Sequence, residues 1–349
     1  MTTISITKHQ QAAEVVDPGE NFKIVIRADA PIREARDHEV LIKLTCSGLW
    51  HSEVRAVFGW SQYCSKIGHE GVRTGVKTCA NISQSQSKTL VGRRVGIKWI
   101  FSACGDCSAC ERGYQHNCPK QRNTTRHVPG RLQQYVLADA QLLTLIPNGV
   151  SDDIAALLLC AGLIMAGALS RLHACGLVWG GLAHIGIQIA ARIKGFRVLA
   201  VDTGEKKRNL SLTSGAEVFI DFKGEDVAAR VREITGDESA NTTIVLPGTR
   251  DAFAMAPHVG RNMGFIVCVG LPPNDMDLPI SASLMAARGL SIIGSSVGTE
   301  DRMPELLQQA AEGRITPSVT TFDFEHVPDL INGLTNDGIT GRAVVRIPQ

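Results

Sequence analysis

The stretch CGDCSACERGYQHNC (Cys104–Cys118) brings four thiols into fifteen residues, with spacers of two, two and seven. Zinc favours four soft ligands in a tetrahedron, and spacers this short let one loop wrap the ion. Gly105 and Gly113 permit the tight turns that wrapping requires. The competing reading, four free or disulfide-paired thiols, suits a secreted chain better than a cytosolic one. Cys104, Cys107, Cys110 and Cys118 are therefore read as ligands of one zinc ion. Four thiolates fill the shell and leave no position for substrate, so this zinc is structural.

At 349 residues the chain is long for one core, and two domains are the natural expectation. Its 36 Lys+Arg balance 34 Asp+Glu for a net charge of +2, with no long run of either sign. Neither a nucleic-acid partner nor a polybasic membrane patch is indicated. Met1–Gln10 lacks the apolar core of a secretory signal. The most apolar stretch, IAALLLCAGLIMAGAL (Ile154–Leu169), is shorter than the ~20 residues of a membrane span and holds two glycines. It is read as a buried helix. These features point to a cytoplasmic protein, in which ten cysteines serve as metal ligands and buried thiols rather than disulfides.

Short apolar runs separated by turn residues fill the first half: Phe22–Ile26, Val40–Leu44, Arg94–Ile100 and Gln134–Leu137. They predict an irregular, mainly β domain. Near residue 151 the texture changes. Leu182, Ile185, Ile189 and Ile193 share a helical face, and strand-like runs follow: RVLAVD, EVFIDF, TTIVLP, GFIVCVG and LSIIGS. Apolar runs alternating with amphipathic helices predict a parallel sheet covered by helices on both faces. A last helix and the strand RAVVRI close the chain, and SQSQS (Ser83–Ser87) reads as a polar surface loop.

The four-cysteine lobe comes with SGLWHSE (Ser47–Glu53), GHEG (Gly68–Gly71), GIKW (Gly96–Trp99), LCAG (Leu159–Gly162), VDTGEKK (Val201–Lys207), GAEVFIDF (Gly215–Phe222) and GRAVV (Gly341–Val345). In that order they resemble the zinc-dependent medium-chain alcohol dehydrogenases, especially the yeast and fungal type, over nearly the whole chain. The resemblance implies an α/β protein of two parts. A GroES-like, β-rich catalytic domain covers 1–160 with 304–349, and a Rossmann domain of 161–303, a doubly wound parallel sheet, is inserted in it. It also implies reversible hydride transfer between a small alcohol and its aldehyde or ketone, with NAD as cofactor and a catalytic zinc polarising the substrate oxygen. A homo-oligomer is implied on the same ground.

Carried over residue by residue, the resemblance makes Ser52 the hydroxyl that passes on the substrate proton and His51 a contact of the cofactor pyrophosphate. Glu53 stands where an Asp orients the ligand His, a role that a longer carboxylate can still fill. Gly180 and Gly181 belong to the glycine turn. Asp202 lies about twenty residues on, where a carboxylate accepts the ribose hydroxyls of NAD. Lys207 matches a lysine near that ribose, and Arg342 an arginine that approaches the cofactor phosphates.

The pattern also breaks. The family holds its catalytic zinc with Cys, His and Cys; His69 and Cys160 match, but the first cysteine is Trp50. An indole cannot ligate zinc. Cys46, four residues upstream in a strand, and Cys64 are not assumed to replace it, whereas Glu70 is a candidate third ligand. Arg55 replaces a relay His and cannot act as a base near neutral pH. Arg73 and Cys79 occupy positions of small residues, and Ala183 that of the last glycine of the turn. About seven residues are missing between Ala168 and Gly180, so Leu177–Trp179 offers ~10 Å of strand against the usual ~17–20 Å. Either the preceding helix unwinds to supply the strand, or the cofactor site is distorted, or a misplaced splice junction made the gap.

Two function classes stand at this point. A dehydrogenase using NAD leads, carried by Asp202, Lys207, His69 and Cys160. A redox-inactive relative that uses the cleft for a lyase or cyclase reaction, or as a binding subunit, draws on Trp50, Arg55 and the shortened strand.

Overall fold

Strand β3 (Glu39–Leu49) has only three residues that are not fully buried, because it is paired along both edges. In the computed structural model, which describes residues 6–60, 62–78, 90–172, 176–179, 183–272, 276–335 and 341–349, β3 is the spine of the first of two units. That unit comprises Met1–Cys160, Thr299–Ala311 and Ser318–Gln349. Strands β1 (His9–Val16) and β2 (Lys23–Pro31) form an antiparallel pair. β3 is flanked by β4 (Glu70–Thr78), with β5 (Arg94–Ile97) next to β4. β6 (Ile100–Ser102) and β7 (Arg122–Asn123) frame the cysteine loop, and β8 (Tyr135–Asp139) and β9 (Thr144–Leu145) complete this part of the sheet. Val40, Ile42, Leu44, Leu49, Val95 and Ile97 are at most 3% exposed and build its core with Val327 and Ile331 of the helix Val327–Thr335.

The second unit, Ala161–Gly298 with Glu312–Pro317, is a six-stranded sheet. Its strands are β10 (Gly176–Trp179), β11 (Val198–Asp202), β12 (Val218–Asp221), β13 (Ala240–Val245), β14 (Gly260–Cys268) and β15 (Ser291–Gly294). They lie in the order β12-β11-β10-β13-β14-β15, and every pairing is parallel. Counted from β10, this is the 3-2-1-4-5-6 order of the Rossmann fold. Helices between the strands are punctuated as their ends require. Asp226, Thr249 and Ser281 accept N-terminal amide hydrogens, and Gly215, Gly236 and Gly289 end helices at positive φ.

Three details depart from the sequence reading. The return to the first unit begins at Thr299, where Glu300 reaches the buried Lys98 at 2.8 Å, rather than at residue 304. Residues 312–317 join the second unit because Gln188 bonds both the N–H of Thr316 (2.6 Å) and its carbonyl (3.1 Å). The shortened strand β10 keeps four parallel rungs, Gly176↔Val198 to Trp179↔Val201 on one side and Gly176↔Thr242 to Trp179↔Val245 on the other. Four residues match β12 and β15, so the missing length does not remove β10 from the middle of the sheet. The helix Asp152–Ser170 ends five residues before β10.

That helix is long and apolar enough to cross a membrane by length and composition alone, yet 67% of it is buried inside the protein. It packs as a core helix. SQSQS, Cys79 and the Gly180–Gly181 pair lie outside the described residues.

Candidate active site

Sheet register assembles the candidate site in the first unit. Gly48 in β3 sits between Glu70 in β4 and Val344 in β17 (Arg342–Arg346), whose other edge pairs with β16 (Val319–Phe322). Side chains two residues apart share a face of a strand, so Arg342 lies on the face of Val344, Gly48 and Glu70. Gly48 leaves that face open: a Cβ there would stand 1.8 Å from Glu70 Oε2. Across the gap, Arg342 Nη2 donates to Glu70 Oε1 at 2.6 Å, with both side chains 1% exposed. Breaking a buried pair of this kind costs about 3–5 kcal/mol. The Arg342 guanidinium also stacks 4.6 Å above the Trp50 ring, whose edge meets His51 at 4.8 Å.

Trp50 precedes the helix His51–Val57, and its N–H is bonded by Glu53 Oε2 at 2.8 Å. The other oxygen of Glu53 accepts from His69 Nδ1 at 2.8 Å. One carboxylate thus caps the helix and fixes the imidazole, directing Nε2 the other way. Nε2 meets Cys160 Sγ at 3.2 Å and lies 3.8 Å from Glu70 Oε1. Cys160 is in a π-helical turn, Leu158–Gly162, that interrupts the apolar helix. Such turns re-aim a side chain and recur at functional sites. Burial alone would lower the pKa of His69, but Cys160 and Glu53 outweigh it and raise it well above the usual range. Burial pushes the Cys160 thiol up.

Ligand atoms of His69, Glu70 and Cys160 all fall within 4.8 Å of one another. With Zn–S of about 2.3 Å and Zn–N or Zn–O of about 2.0–2.2 Å, neighbouring atoms of a tetrahedron stand roughly 3.3–3.8 Å apart. The His–Cys and His–Glu distances bracket that range, and buried Glu70 Oε2 has no hydrogen-bond partner. These three residues therefore fit a zinc ion without Trp50. In the cysteine loop the same test succeeds. Cys104 Sγ lies 3.4 Å from Cys118 Sγ and 3.9 Å from Cys110 Sγ, and all four sulfurs fall within 4.8 Å. The backbone N–H of Cys110 pulls the Cys107 thiol down to about 7, toward the thiolate that metal binding requires.

In the second unit Asp202 ends β11, and its Oδ1 accepts from Lys207 Nζ (2.7 Å) and from the Thr203 N–H (2.9 Å). A carboxylate at the end of the strand next to the switch point between β10 and β13 fits the ribose of a dinucleotide. Ser52 is half-buried, His51 is exposed, and Arg55 lies 5.9 Å from the Trp60 ring.

The sequence profile of the alcohol dehydrogenase GroES-like domain matches residues 36–148, and that of the zinc-binding dehydrogenases matches 181–312. "Alcohol dehydrogenase 2" of Emericella nidulans is 35% identical over 373 aligned positions, covering 99% of each chain. This chain belongs to the zinc-dependent medium-chain alcohol dehydrogenases. An alcohol dehydrogenase of Geobacillus stearothermophilus is 34% identical over 88% of this chain and 92% of its own. Among solved structures, acetophenone reductase from Geotrichum candidum, determined with NAD, superimposes with a TM-score of 0.83 at 23% identity, covering 98% of both chains. An NAD-dependent alcohol dehydrogenase gives 0.85 at 22%, covering 97% of this chain and 100% of the other. At these identities the two structures speak for the fold.

Against this family background, the sequence reading brought His69, Cys160, Glu70 and Glu53 together, and the structure does the same. The sequence reading set Arg342 against the cofactor phosphates, whereas the structure commits that side chain to Glu70 and Trp50, with its Nε and Nη1 left without a partner. It missed two residues. Gly48 makes room for the Arg342–Glu70 pair. Lys98 of the GIKW motif is 2% exposed and bonds Glu300 and Thr144. A glycine deep in an apolar strand was a readable signal for a close approach. The pairing of positions 70 and 342 had none.

Proposed function

We propose that this chain catalyses reversible hydride transfer between a small or medium alcohol–carbonyl pair and NAD(H), with a catalytic zinc held by His69, Cys160 and Glu70. The observation that carries this reading is the convergence of those three ligand atoms beneath a Glu53 that fixes the His69 ring. A bound zinc supplies the Lewis acidity that lets an alcohol ionise near neutral pH. Glu53 bonds Nδ1 and so turns Nε2 toward the position a metal would take. Arg342 holds Glu70 in place, Ser52 passes on the substrate proton, and His51 faces the pyrophosphate. Asp202 accepts the ribose hydroxyls, with Lys207 steadying its carboxylate, and Gly180–Gly181 supply the pyrophosphate turn.

The test is metal analysis with turnover. The wild type should bind about two zinc ions per chain, one of them readily removed by chelators, since three protein ligands hold less firmly than four. Cys160→Ala should leave one zinc and no NAD-dependent alcohol oxidation. A wild type that binds one zinc and oxidises no alcohol favours the second reading, a non-redox elimination or cyclisation. That alternative draws on Trp50 filling the ligand position and on Arg342 already engaging Glu70.

A further inference from the structure

A cavity of about 70 Å³ lies in the first unit, lined by Arg33, Arg36, Arg122 and Arg131 with Glu39 as the acid among its lining residues. None of these residues belongs to the zinc or cofactor sites. Glu39 is already engaged, its Oε2 accepting the backbone N–H of Arg36 at 2.9 Å. Among the described residues no ion pair reaches any of the four arginines, whereas Arg27, Arg197, Arg230 and Arg342 each meet a carboxylate.

We propose that this cavity binds a tetrahedral oxyanion of the phosphate class. Arg131 is the decisive residue. It is 1% exposed, its Nη1 and Nη2 bond the Leu137 carbonyl and Thr124 Oγ1 at 2.9 Å each, and its Nε has no partner. Burial pushes its guanidinium down to about 9, so it stays charged at neutral pH. A buried charge without a counter-charge is costly, and a bound anion removes that cost. Arg33, Arg36 and Arg122 are exposed and supply planar donor forks of the kind that grip phosphate oxygens. A buried water needs about 10–15 Å³ on the same measure, so the cavity admits an inorganic phosphate entirely and a phosphomonoester by its head. Occupancy would also brace the strand of the candidate site, because the Arg131 N–H donates to the Gly68 carbonyl beside His69.

The test is calorimetry and thermal melting of the full chain in chloride buffer at fixed ionic strength, titrated with inorganic phosphate, sulfate or glycerol phosphate. Saturable one-to-one binding with a rise in Tm is expected. A tighter Kd for inorganic phosphate or for glycerol phosphate tells which source the site prefers. In Arg33→Gln/Arg122→Gln, two exposed changes that leave Tm in chloride unchanged, the Kd should weaken at least ~10-fold. NADH binding should be untouched, which separates this site from any phosphate subsite of the cofactor. Arg131→Met should abolish the phosphate-dependent rise in Tm, and the double variant decides the matter if Arg131→Met does not fold. Equal phosphate responses in wild type and double variant, or no saturable binding at all, would overturn the proposal.

Discussion

Trp50 shows how far one residue can depart from a family pattern while Gly48, Glu70 and Arg342 beside it keep theirs. An indole in place of a thiol removes a ligand and adds bulk, and the Arg342 guanidinium sits over its ring at 4.6 Å. The ion pair then runs over a glycine that has no side chain to obstruct it. Trp50→Cys should restore a Cys-His-Cys shell with His69 and Cys160. Zinc bound by the catalytic site should become resistant to chelators, and alcohol oxidation with NAD should rise by roughly 10-fold or more, since the Lewis acid lowers the alcohol pKa. Metal analysis must precede the activity assay. A firmly held second zinc without added activity would locate the defect in the cofactor domain, and no gain in chelator resistance would show that the shell cannot be rebuilt.

Two elements carry the metal chemistry, and they differ in what supports them. The cysteine loop has little core of its own: Cys104 and Cys107 are partly exposed, and its helix is only Ser108–Glu111. Zinc therefore supplies its folding energy, as it does in small zinc peptides at ~10 kcal/mol or more. Cys107→Ser should release one zinc per chain, cut soluble yield and lower Tm by roughly 5 °C or more. Retention of full zinc and an unchanged melting curve would remove the structural role. The apolar helix is the opposite case. Ala155, Leu157, Leu158, Leu159 and Ala161 are fully buried, so packing fixes the π-turn and delivers Cys160 to His69 with or without metal. The Cys160→Ala variant should accordingly melt within a few degrees of wild type, because the loss of one buried thiol costs about 1–2 kcal/mol.

At the scale of the whole molecule, cofactor choice tests whether the second unit still serves the first. Asp202 at the end of β11 should disfavour a 2′-phosphate by charge, although Lys207, 2.7 Å away, offsets part of that repulsion. NADH should bind more tightly than NADPH in fluorescence titration. Asp202→Ala should weaken NADH by about 10-fold, the worth of one charge-assisted hydrogen bond, while NADPH affinity holds or rises. A wild-type preference for NADPH would refute the role assigned to Asp202. The sheet order gives this prediction its footing, since β10 keeps its place between β11 and β13 despite the shortened sequence before it.

Local chemistry is what the sequence alone determined. The cysteine spacing specified a metal loop, because ligand geometry is set within fifteen residues. Alternating apolar runs and amphipathic helices specified the parallel sheet, because periodicity reports which faces are buried. His69, Cys160, Glu53 and Asp202 were legible because each stands in a short motif. What only the tertiary structure decided depends on register between distant strands. The Arg342–Glu70 pair joins positions 272 apart through a third strand, and no local pattern encodes which rung of β17 faces which rung of β4. The arginines at 33, 36, 122 and 131 share no local motif, and the fold alone brings them around one cavity. The length of β10 was likewise set by its neighbours, since a strand held on both edges by hydrogen bonds needs only as many residues as they pair with.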